Sequence, residues 1–330
     1  MKAIRYYSYG SPEVVLRLQD VDVPAVNDDE VLIRVRAASV NPLDWHFMRG
    51  KPYIARTQFG LFRPKTCGMG GDLAGHVEAV GRNVTKFQPG DEVFGGRGVG
   101  LVDRAASFAE YASLPENGML AKKPANLTFE QAASVPVAAL SALQALRDKG
   151  RIQAGHKVLV NGAAGGVGTF AVQIAKALGA EVTGVCSTPN VEMVLSIGAD
   201  QVIDYTKEDF TRTGQRYDVL VDLVGNRTPA ESRRALAHRG ILVGAAPAKG
   251  QWAGPVIGVL KLIVLSRIVS QTMVSFLARE SQDDLTVLSG LLEAGKIAPV
   301  IDRTYQLNEV PEAIAYLEKG HARGKVVVIV

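Results

Sequence analysis

Residues 155–176 read GHKVLVNGAAGGVGTFAVQIAK, and this stretch predicts a strand, a glycine turn and a helix in that order. The strand covers Lys157 to Val160, and after the turn apolar residues recur at helical spacing until Gly179. A helix that begins at a turn presents unpaired backbone N–H groups and the positive end of its dipole. The stretch therefore predicts a site for the pyrophosphate of a dinucleotide.

The glycines of this turn suit a phosphate because they let it approach the backbone closely. A side chain at Gly165 or Gly166 would hold the phosphate away, and one at Gly168 would push the helix off its strand. Ala163 stands at the first glycine position of the usual G-x-G-x-x-G pattern, so a glycine turn without a ligand is the alternative that the motif alone leaves open. The predicted cofactor contacts here are Gly162, Ala163, Gly165, Gly166, Val167 and Gly168.

Alternating strands and helices of crossover length follow the turn. They make a glycine turn without a ligand a weaker interpretation than a dinucleotide site. The predicted strands are 181–186, 201–204, 218–224 and 241–243, and the predicted helices are 191–197 and 229–238. This alternation is typical of an α/β fold with a doubly wound parallel sheet.

The chain on either side of this region has a different character. Short strands such as 30–36 and 76–80 are separated by Pro and Gly turns, which predicts a small β-rich domain. We expect the segment 114–124 to link that domain to the sheet, and a helix over 132–149 to lead into the nucleotide strand. The remaining predicted elements are a helix at 282–294, a strand at 299–305, a helix at 310–319 and a strand at 325–330.

Length and composition favour a globular protein of two domains. The chain has 330 residues, of which 47% are apolar and 21% charged. A net charge of +4 without a long basic run does not require a nucleic-acid partner. Cys67 and Cys186 are the two cysteines, so neither a disulfide framework nor a four-cysteine zinc site is expected. The opening MKAIRYYSYG lacks the apolar core of a secretory signal, so a cytoplasmic location is expected.

An apolar stretch at 253–278 is long enough to resemble a membrane helix. Lys261 and Arg267 near its middle would each cost roughly 2.5 to 3.5 kcal/mol at a bilayer centre, which favours a buried or dimer-facing segment instead. A peripheral membrane contact or a partner-facing patch remains an open alternative.

Several motifs together resemble the medium-chain dehydrogenase/reductase superfamily, in its zinc-free quinone oxidoreductase (zeta-crystallin-like) branch. The most specific of these motifs is residues 155–176. Within the branch, the chain resembles bacterial relatives of the mitochondrial reticulon-4-interacting oxidoreductase. The other matching motifs are VNPLDW around Asn41, GDLAGHVEAVG from Gly71, QPGDEV from Gln88 and GHARGKVVV from Gly320.

The resemblance implies a GroES-like catalytic domain over 1–122 and 280–330 and a Rossmann NADP-binding domain over 123–279. It also implies a homodimer and an NADPH-dependent reduction of quinones or α,β-unsaturated carbonyl compounds. Zinc relatives carry a ligating Cys where this chain has Asn41, and Gly-His-Glu where it has Gly70, Gly71 and Asp72. No metal site is therefore expected. The histidines, which are His46, His76, His156, His238 and His321, are predicted to be surface or packing residues.

The predicted cofactor is NADPH rather than NADH. Selection of NAD usually relies on an acid about twenty residues after the glycines, but here no acid precedes Glu192. Ser187 and Thr188 could donate hydrogen bonds to a 2′-phosphate, unless they only cap the next helix. Tyr205 resembles a tyrosine that family members place against that phosphate.

Reduction of a conjugated carbonyl leaves an oxyanion, which needs a hydrogen-bond donor or a proton. The resemblance assigns Asn41 to positioning the nicotinamide and the substrate carbonyl and Asp44 to holding the loop, and Tyr53 is the candidate proton donor. Further predicted cofactor contacts are Ser141, Val224, Arg323 and Lys325.

Two other functions stay open. An enoyl-thioester reductase would need basic residues for a carrier phosphate, and Arg56, Arg63 and Lys65 could serve. A cofactor-binding protein that acts mainly through contact with RNA or a membrane is the other alternative.

Overall fold

The computed structural model describes residues 1–97, 105–244 and 269–330. These residues form two compact units. Unit 1 contains Met1–Leu140, Arg279–Ala294 and Pro299–Val330, and unit 2 contains Ser141–Ala278 and Gly295–Ala298. The division falls after Leu140, whereas the sequence placed it after residue 122. The difference arises because residues as late as Val137 bond within unit 1, where its N–H donates to Asp72 at 3.0 Å.

The secondary structure alternates as expected. The strands are β1 (Lys2–Arg5), β2 (Arg17–Asp20), β3 (Glu30–Val40), β4 (Asp72–Val80), β5 (Glu92–Gly96), β6 (Tyr111–Pro115), β7 (Met119–Lys122), β8 (Lys157–Asn161), β9 (Glu181–Cys186), β10 (Gln201–Asp204), β11 (Tyr217–Asp222), β12 (Leu236–Gly244), β13 (Thr272–Ser275), β14 (Ile301–Gln306) and β15 (Lys325–Ile329).

The α-helices are mostly short. They are α1 (Pro12–Val15), α2 (Pro42–Arg49), α3 (Arg56–Phe59), α4 (Phe129–Ala133), α5 (Pro136–Gln144), α6 (Gly166–Ala177), α7 (Val191–Ser196), α8 (Pro229–Ser232), α9 (Gln282–Glu293) and α10 (Val310–Glu318). Tighter 3₁₀ turns occur at Tyr53–Ala55, Thr188–Asn190, Arg233–Ala235 and Leu307–Glu309, and a π-helical turn at Ala145–Lys149.

Unit 2 is built on a six-stranded sheet in the order β10-β9-β8-β11-β12-β13, in which each pair is parallel. Val158, Leu159 and Val160 on β8 are fully buried, because a parallel sheet in this class is covered on both faces. This confirms the predicted doubly wound α/β fold.

Helix α6 packs closely on this sheet. Its buried face includes Phe170 and Ile174. The buried side chain of Gln173 is anchored at both ends, since its Nε2 donates to the carbonyl of Ala298 at 2.9 Å and its Oε1 accepts from the N–H of Ala298 at 2.8 Å. These two bonds hold the segment Gly295–Ala298 in unit 2.

Unit 1 is built on a seven-stranded sheet in the order β14-β15-β3-β4-β5-β7, with β6 also paired to β3. The last strand of the chain, β15, is antiparallel to β3, and β3 is antiparallel to β4. Unit 1 is therefore assembled from both ends of the chain, as the resemblance implied.

Two sequence-based expectations are wrong. The segment 114–124 is not a linker, because Leu114 on β6 pairs with Val31 on β3 and β7 forms the edge of the same sheet. The helix over 229–238 ends at Ser232, and the chain then turns into β12 because Leu236 pairs with Tyr217 and is buried.

The predicted helix over 132–149 is broken into α4, α5 and the π-helical turn. Pro136 at the start of α5 has no N–H and disfavours helical geometry in the residue before it, which explains the break after α4.

Most of the apolar stretch 253–278 lies outside the described residues, since the description resumes at 269. Its described end contains β13, which pairs with β12. Among the helices that the structure describes, none is both long enough and apolar enough to cross a bilayer.

Gly168 and Gly290 provide a paired test of the packing of α6. A Cβ on Gly168 would lie 2.0 Å from the carbonyl oxygen of Gly162, whereas a Cβ on Gly290 in α9 would have no atom within 4 Å. We expect Gly168→Ala to destabilise the fold by about 1 to 3 kcal/mol, and Gly290→Ala to stabilise it by up to about 1 kcal/mol. Thermal unfolding of the two variants measures this, and equal midpoints for Gly168→Ala and the wild type would contradict the close packing.

Candidate functional site

The turn before α6 forms an open cradle. Gly165 is the cap residue of α6 and has no side chain that could accept from the first helix N–H groups. The N–H groups of Gly166, Val167 and Gly168 therefore remain available to a ligand. A Cβ on Gly165 would meet only the carbonyl oxygen of Gly162, at 3.5 Å, so the space above the turn is open. Outward N–H groups, a positive helix end and open space together fit the pyrophosphate of a dinucleotide.

The remaining residues of the turn hold its shape. Gly162 has a φ of 91°, which suits glycine, and a Cβ there would lie 2.8 Å from Cγ2 of Val224. Ala163 is fully buried, and its N–H donates to the carbonyl of Val185 at 3.0 Å. The alanine at the first glycine position therefore packs inside the turn, while Val224, 49% exposed, lies beside it.

A polar network at the ends of β8 and β11 was not predicted from the sequence. Oδ1 of Asp222 accepts hydrogen bonds from Nδ2 of Asn161 at 2.8 Å and from the N–H groups of Val224 and Gly225 at 3.1 and 3.0 Å. The network fixes the backbone next to the cradle. The signal in the sequence was that Asn161 and Asp222 each end a strand directly after three apolar residues, Val-Leu-Val.

The residues predicted to meet a 2′-phosphate lie at the ends of β9 and β10. Oγ of Ser187 accepts from Nδ2 of Asn190 at 3.1 Å and makes no helix-capping bond, and Tyr205 is 51% exposed. Thr188, however, donates its hydroxyl to Oδ2 of Asp204 at 2.5 Å. Sequence reasoning missed Asp204, because it is adjacent to Cys186 only through the pairing of β10 with β9.

In unit 1, a buried polar cluster joins three adjacent strands. Asp72 at the start of β4 is fully buried, and its Oδ2 accepts from Oγ of Ser39 and from Nδ2 of Asn41, both at 2.8 Å. Nζ of Lys325, at the start of β15, lies 2.7 Å from Oδ1 of Asn41 and 3.4 Å from Oδ2 of Asp72. The cluster is an ion pair whose members are also hydrogen-bonded, as buried charges require.

This arrangement bears on two predicted roles. Asn41 is 5% exposed and both ends of its amide are bonded inside the cluster. Lys325 is 4% exposed, so it is not a solvated charge. The structure shows both residues stabilising the domain, and their predicted contacts with cofactor and substrate stay predictions.

Asp44 lies against the same cluster. Its Oδ2 accepts from the backbone N–H of Asn41 at 2.7 Å, which holds the start of α2 as the sequence suggested. Burial raises the pKa of Asp44 to about 7, and the negative charge of Asp72 acts in the same direction, while the N–H groups of Asn41 and Gly70 and the ammonium of Lys325 oppose the rise. Asp44 is therefore partly protonated near neutral pH.

The other predicted site residues make different contacts. Tyr53 begins a 3₁₀ turn after α2 and is half-buried, with the guanidinium of Arg56 at 4.8 Å from its ring centroid. Arg323 is exposed and its backbone N–H donates to Asp302. Ser141 is a half-buried residue of α5. Within the described ranges, no group of three or more His, Cys, Asp or Glu side chains is placed to hold a metal ion.

The ion pair in the unit 1 cluster gives a first prediction for this site. Lys325→Met leaves the carboxylate of Asp72 buried without its ammonium, and loss of one partner of a buried pair costs about 3 to 5 kcal/mol of unfolding free energy. The double variant Lys325→Met/Asp72→Asn removes the uncompensated charge, so it is expected to recover much of that loss. Urea unfolding of both measures the effect, and equal stability of the single and double variants would contradict the pairing.

Asp44 gives a prediction about pH. Its pKa is raised in the folded protein above its ordinary 3.8, so the folded protein keeps a proton that the unfolded chain has already released. The stability that Asp44 contributes is therefore complete at low pH and is lost as the pH rises through about 7. Relative to Asp44→Asn, the wild type should lose on the order of 1.4 kcal/mol per pH unit between about pH 4 and pH 7, and the difference should level off at higher pH. Urea unfolding between about pH 4 and pH 8 tests this, and a difference that stays constant from about pH 4 to pH 7 would refute it.

Comparison with known proteins agrees with this architecture. Residues 27–125 match the GroES-like domain of alcohol dehydrogenases, and residues 197–328 match the zinc-binding dehydrogenases. The mouse mitochondrial NAD(P)H oxidoreductase RTN4IP1 (Mus musculus) is 37% identical over 353 residues, which cover 97% of this chain and 87% of that protein.

Two further relatives cover the chain almost completely. The 2-methylene-furan-3-one reductase of tomato (Solanum lycopersicum) is 34% identical over 335 residues, which cover 99% of this chain and 79% of that protein. The solved structure of the quinone oxidoreductase from Coxiella burnetii is 32% identical and superposes with a TM-score of 0.87. The match covers 100% of this chain and 99% of that one. The protein is therefore an oxidoreductase that belongs to the medium-chain dehydrogenase/reductase superfamily, in its quinone oxidoreductase branch.

Proposed function

We propose that this protein is a zinc-independent, NADPH-dependent reductase that transfers a hydride to quinones or α,β-unsaturated carbonyl compounds. The observation that carries the proposal is the open cradle at Gly165, where uncapped helix N–H groups face a space that a dinucleotide pyrophosphate fits. The names of the relatives support the substrate class. One is a quinone oxidoreductase, and the tomato enzyme is named for an α,β-unsaturated ketone.

The cofactor site is proposed to run along the carboxyl ends of the unit 2 strands, where ligands of open α/β sheets bind. Gly166, Val167 and Gly168 would donate to the pyrophosphate, and Ser187 and Tyr205 would face the adenosine ribose. When bound, the reduced nicotinamide supplies the hydride. NADPH is preferred in this proposal because residues 187–190 carry no acid to bind the ribose hydroxyls of NADH.

Zinc independence is supported by the chemistry of the unit 1 cluster. The position of the relatives' ligating Cys holds the amide of Asn41, which is a weak ligand for zinc. The carboxylate of Asp72 is already neutralised by the ammonium of Lys325, and a zinc ion there would bring two cations together. The developing oxyanion would then be met by a hydrogen-bond donor, for which Tyr53 remains the candidate, and a quinone needs less assistance than an enone.

A second candidate substrate class is favoured by a cavity in unit 1. This cavity of about 700 Å³ contains both Arg63 and Lys65 next to Phe62, whose side chain is 88% exposed. Two cations beside an apolar surface suit an acyl thioester with a phosphate-bearing carrier. Arg56 was predicted from the sequence as a third basic residue for the carrier phosphate. Its Nε donates a hydrogen bond to the carbonyl of Gly50 at 2.9 Å.

A substrate panel tests the proposal directly. We expect 1,4-quinones and enals to support NADPH oxidation at a rate that extensive treatment with a chelator leaves unchanged. Turnover of crotonyl-CoA alone would indicate instead that the substrates are acyl thioesters. Tight NADPH binding without turnover of any compound would instead indicate a cofactor-binding protein that acts through other partners.

Gly165→Val is the matched variant for this panel. Residue 165 has an extended backbone (φ −82°), and a Cβ there meets nothing closer than 3.5 Å, so the fold should be kept. The valine would fill the proposed pyrophosphate space, and we expect KM for NADPH to rise by at least about tenfold with an unchanged unfolding midpoint. An unchanged KM would show that the cradle does not hold the cofactor.

A further inference from the structure

The acid at the end of β10 has a defined position beside the proposed ribose site. Asp204 is paired in register with Cys186, the last residue of β9, and the N–H of Tyr205 donates to the carbonyl of Cys186. The carboxylate of Asp204 thus lies next to Thr188, in the region where the sequence indicated only neutral donors.

The hydroxyls around Asp204 keep it ionised. Thr188 donates to its Oδ2 at 2.5 Å, and Thr206 donates its N–H and its hydroxyl to Oδ1 at 3.0 and 2.7 Å. These bonds, foremost the one from Thr188, hold the pKa of Asp204 well below its ordinary value. Asp204 therefore carries a negative charge at neutral pH.

The groups that could bind a 2′-phosphate differ in whether they already interact with Asp204. Thr188 donates its proton to Asp204, whereas in the part of the chain that the structure describes Ser187 accepts from Asn190 and donates no hydrogen bond. Lys207 is a cation next to this site, with its Nζ at 3.4 Å from Oδ2 of Asp204 and its side chain 70% exposed. A phosphate arriving here would compete with Asp204 for Lys207.

We propose that Asp204 and Lys207 set the discrimination between NADPH and NADH in this protein, with Asp204 opposing the 2′-phosphate and Lys207 attracting it. The inference rests on the proposed function, because it needs the adenosine end of a nicotinamide cofactor at the ends of β9 and β10. The preference between the two cofactors then depends on Asp204 and Lys207 at the end of β10 as well as on Ser187 and Thr188, which follow the neighbouring strand β9.

The test uses binding of cofactor fragments, so it does not depend on turnover. Calorimetric titration compares adenosine 2′,5′-bisphosphate with 5′-AMP, which lacks the 2′-phosphate. Asp204→Asn keeps an oxygen for the N–H of Thr206 and removes the charge, so the bisphosphate is expected to gain about 3- to 10-fold in affinity relative to 5′-AMP. Lys207→Met is expected to lose a similar factor. Both effects should shrink at high salt, which a purely structural role would not produce.

The matched control is Asp209→Asn. Asp209 accepts from the N–H and the hydroxyl of Thr211 in the same local pattern and is also paired with a cation, Arg227, at 3.3 Å, but it lies five residues after the end of β10 instead of at the proposed ribose site. Its variant should leave the affinity ratio within about twofold of the wild type. Ser187→Asp should shift the ratio in the opposite direction, toward 5′-AMP.

The outcomes separate this inference from the proposed function. Ratios within about twofold of the wild type in both Asp204→Asn and Lys207→Met, or a gain in Asp209→Asn equal to that in Asp204→Asn, would overturn the inference while leaving the cofactor site in place. If Asp204→Asn does not fold, Lys207→Met alone decides, because its side chain is exposed. Failure of the wild type to bind either fragment or NADPH would overturn the proposed function itself.

Discussion

The ion pair between Lys325 and Asp72 is the constraint on which unit 1 depends. Lys325 begins the last strand of the chain, Asp72 begins β4, and Asn41 follows β3, which lies between them in the sheet. One buried ammonium therefore joins the C-terminal strand to the N-terminal part of the domain. Because an unpaired charge at this depth is costly, the pair favours one register of β15 against β3 over any register that separates the two charges.

Unit 2 depends on a different constraint, which is the close approach of backbone at the cradle. Gly168 lies against the carbonyl oxygen of Gly162, and Gly184 on β9 has no room for a Cβ because Val194 would lie 2.5 Å away. The first contact brings α6 close to the turn after β8, and the second brings α7 close to β9. Gly165, at the cap position of α6, has no side chain that could bond to the first helix N–H groups. The same glycines that allow close packing therefore leave the helix N–H groups for a ligand.

The sequence predicted the features that are local in the chain. The glycine turn and the parallel strands around it follow from apolar spacing and glycine positions within short windows, and the structure places most of them within a few residues of the prediction. The assembly of unit 1 from both ends of the chain came instead from the family resemblance. Features that depend on pairing between distant segments were not predictable in this way. Asp204 is eighteen residues away from Cys186 in the sequence and adjacent to it in the sheet. Leu236 was assigned to a helix because its pairing with Tyr217 is not visible in a local pattern.

The chemistry of the site shows the same dependence on surroundings. Asp44 and Asp204 are identical residue types, yet burial raises the pKa of Asp44 while hydroxyl donors lower that of Asp204. The consequence for unit 1 is a balance of charge. With Asp44 protonated, the buried cluster contains one ammonium and one carboxylate and is close to neutral. If Asp44 ionised, the cluster would carry an excess negative charge, so burial and the charge of Asp72 favour the protonated form of Asp44 up to about pH 7.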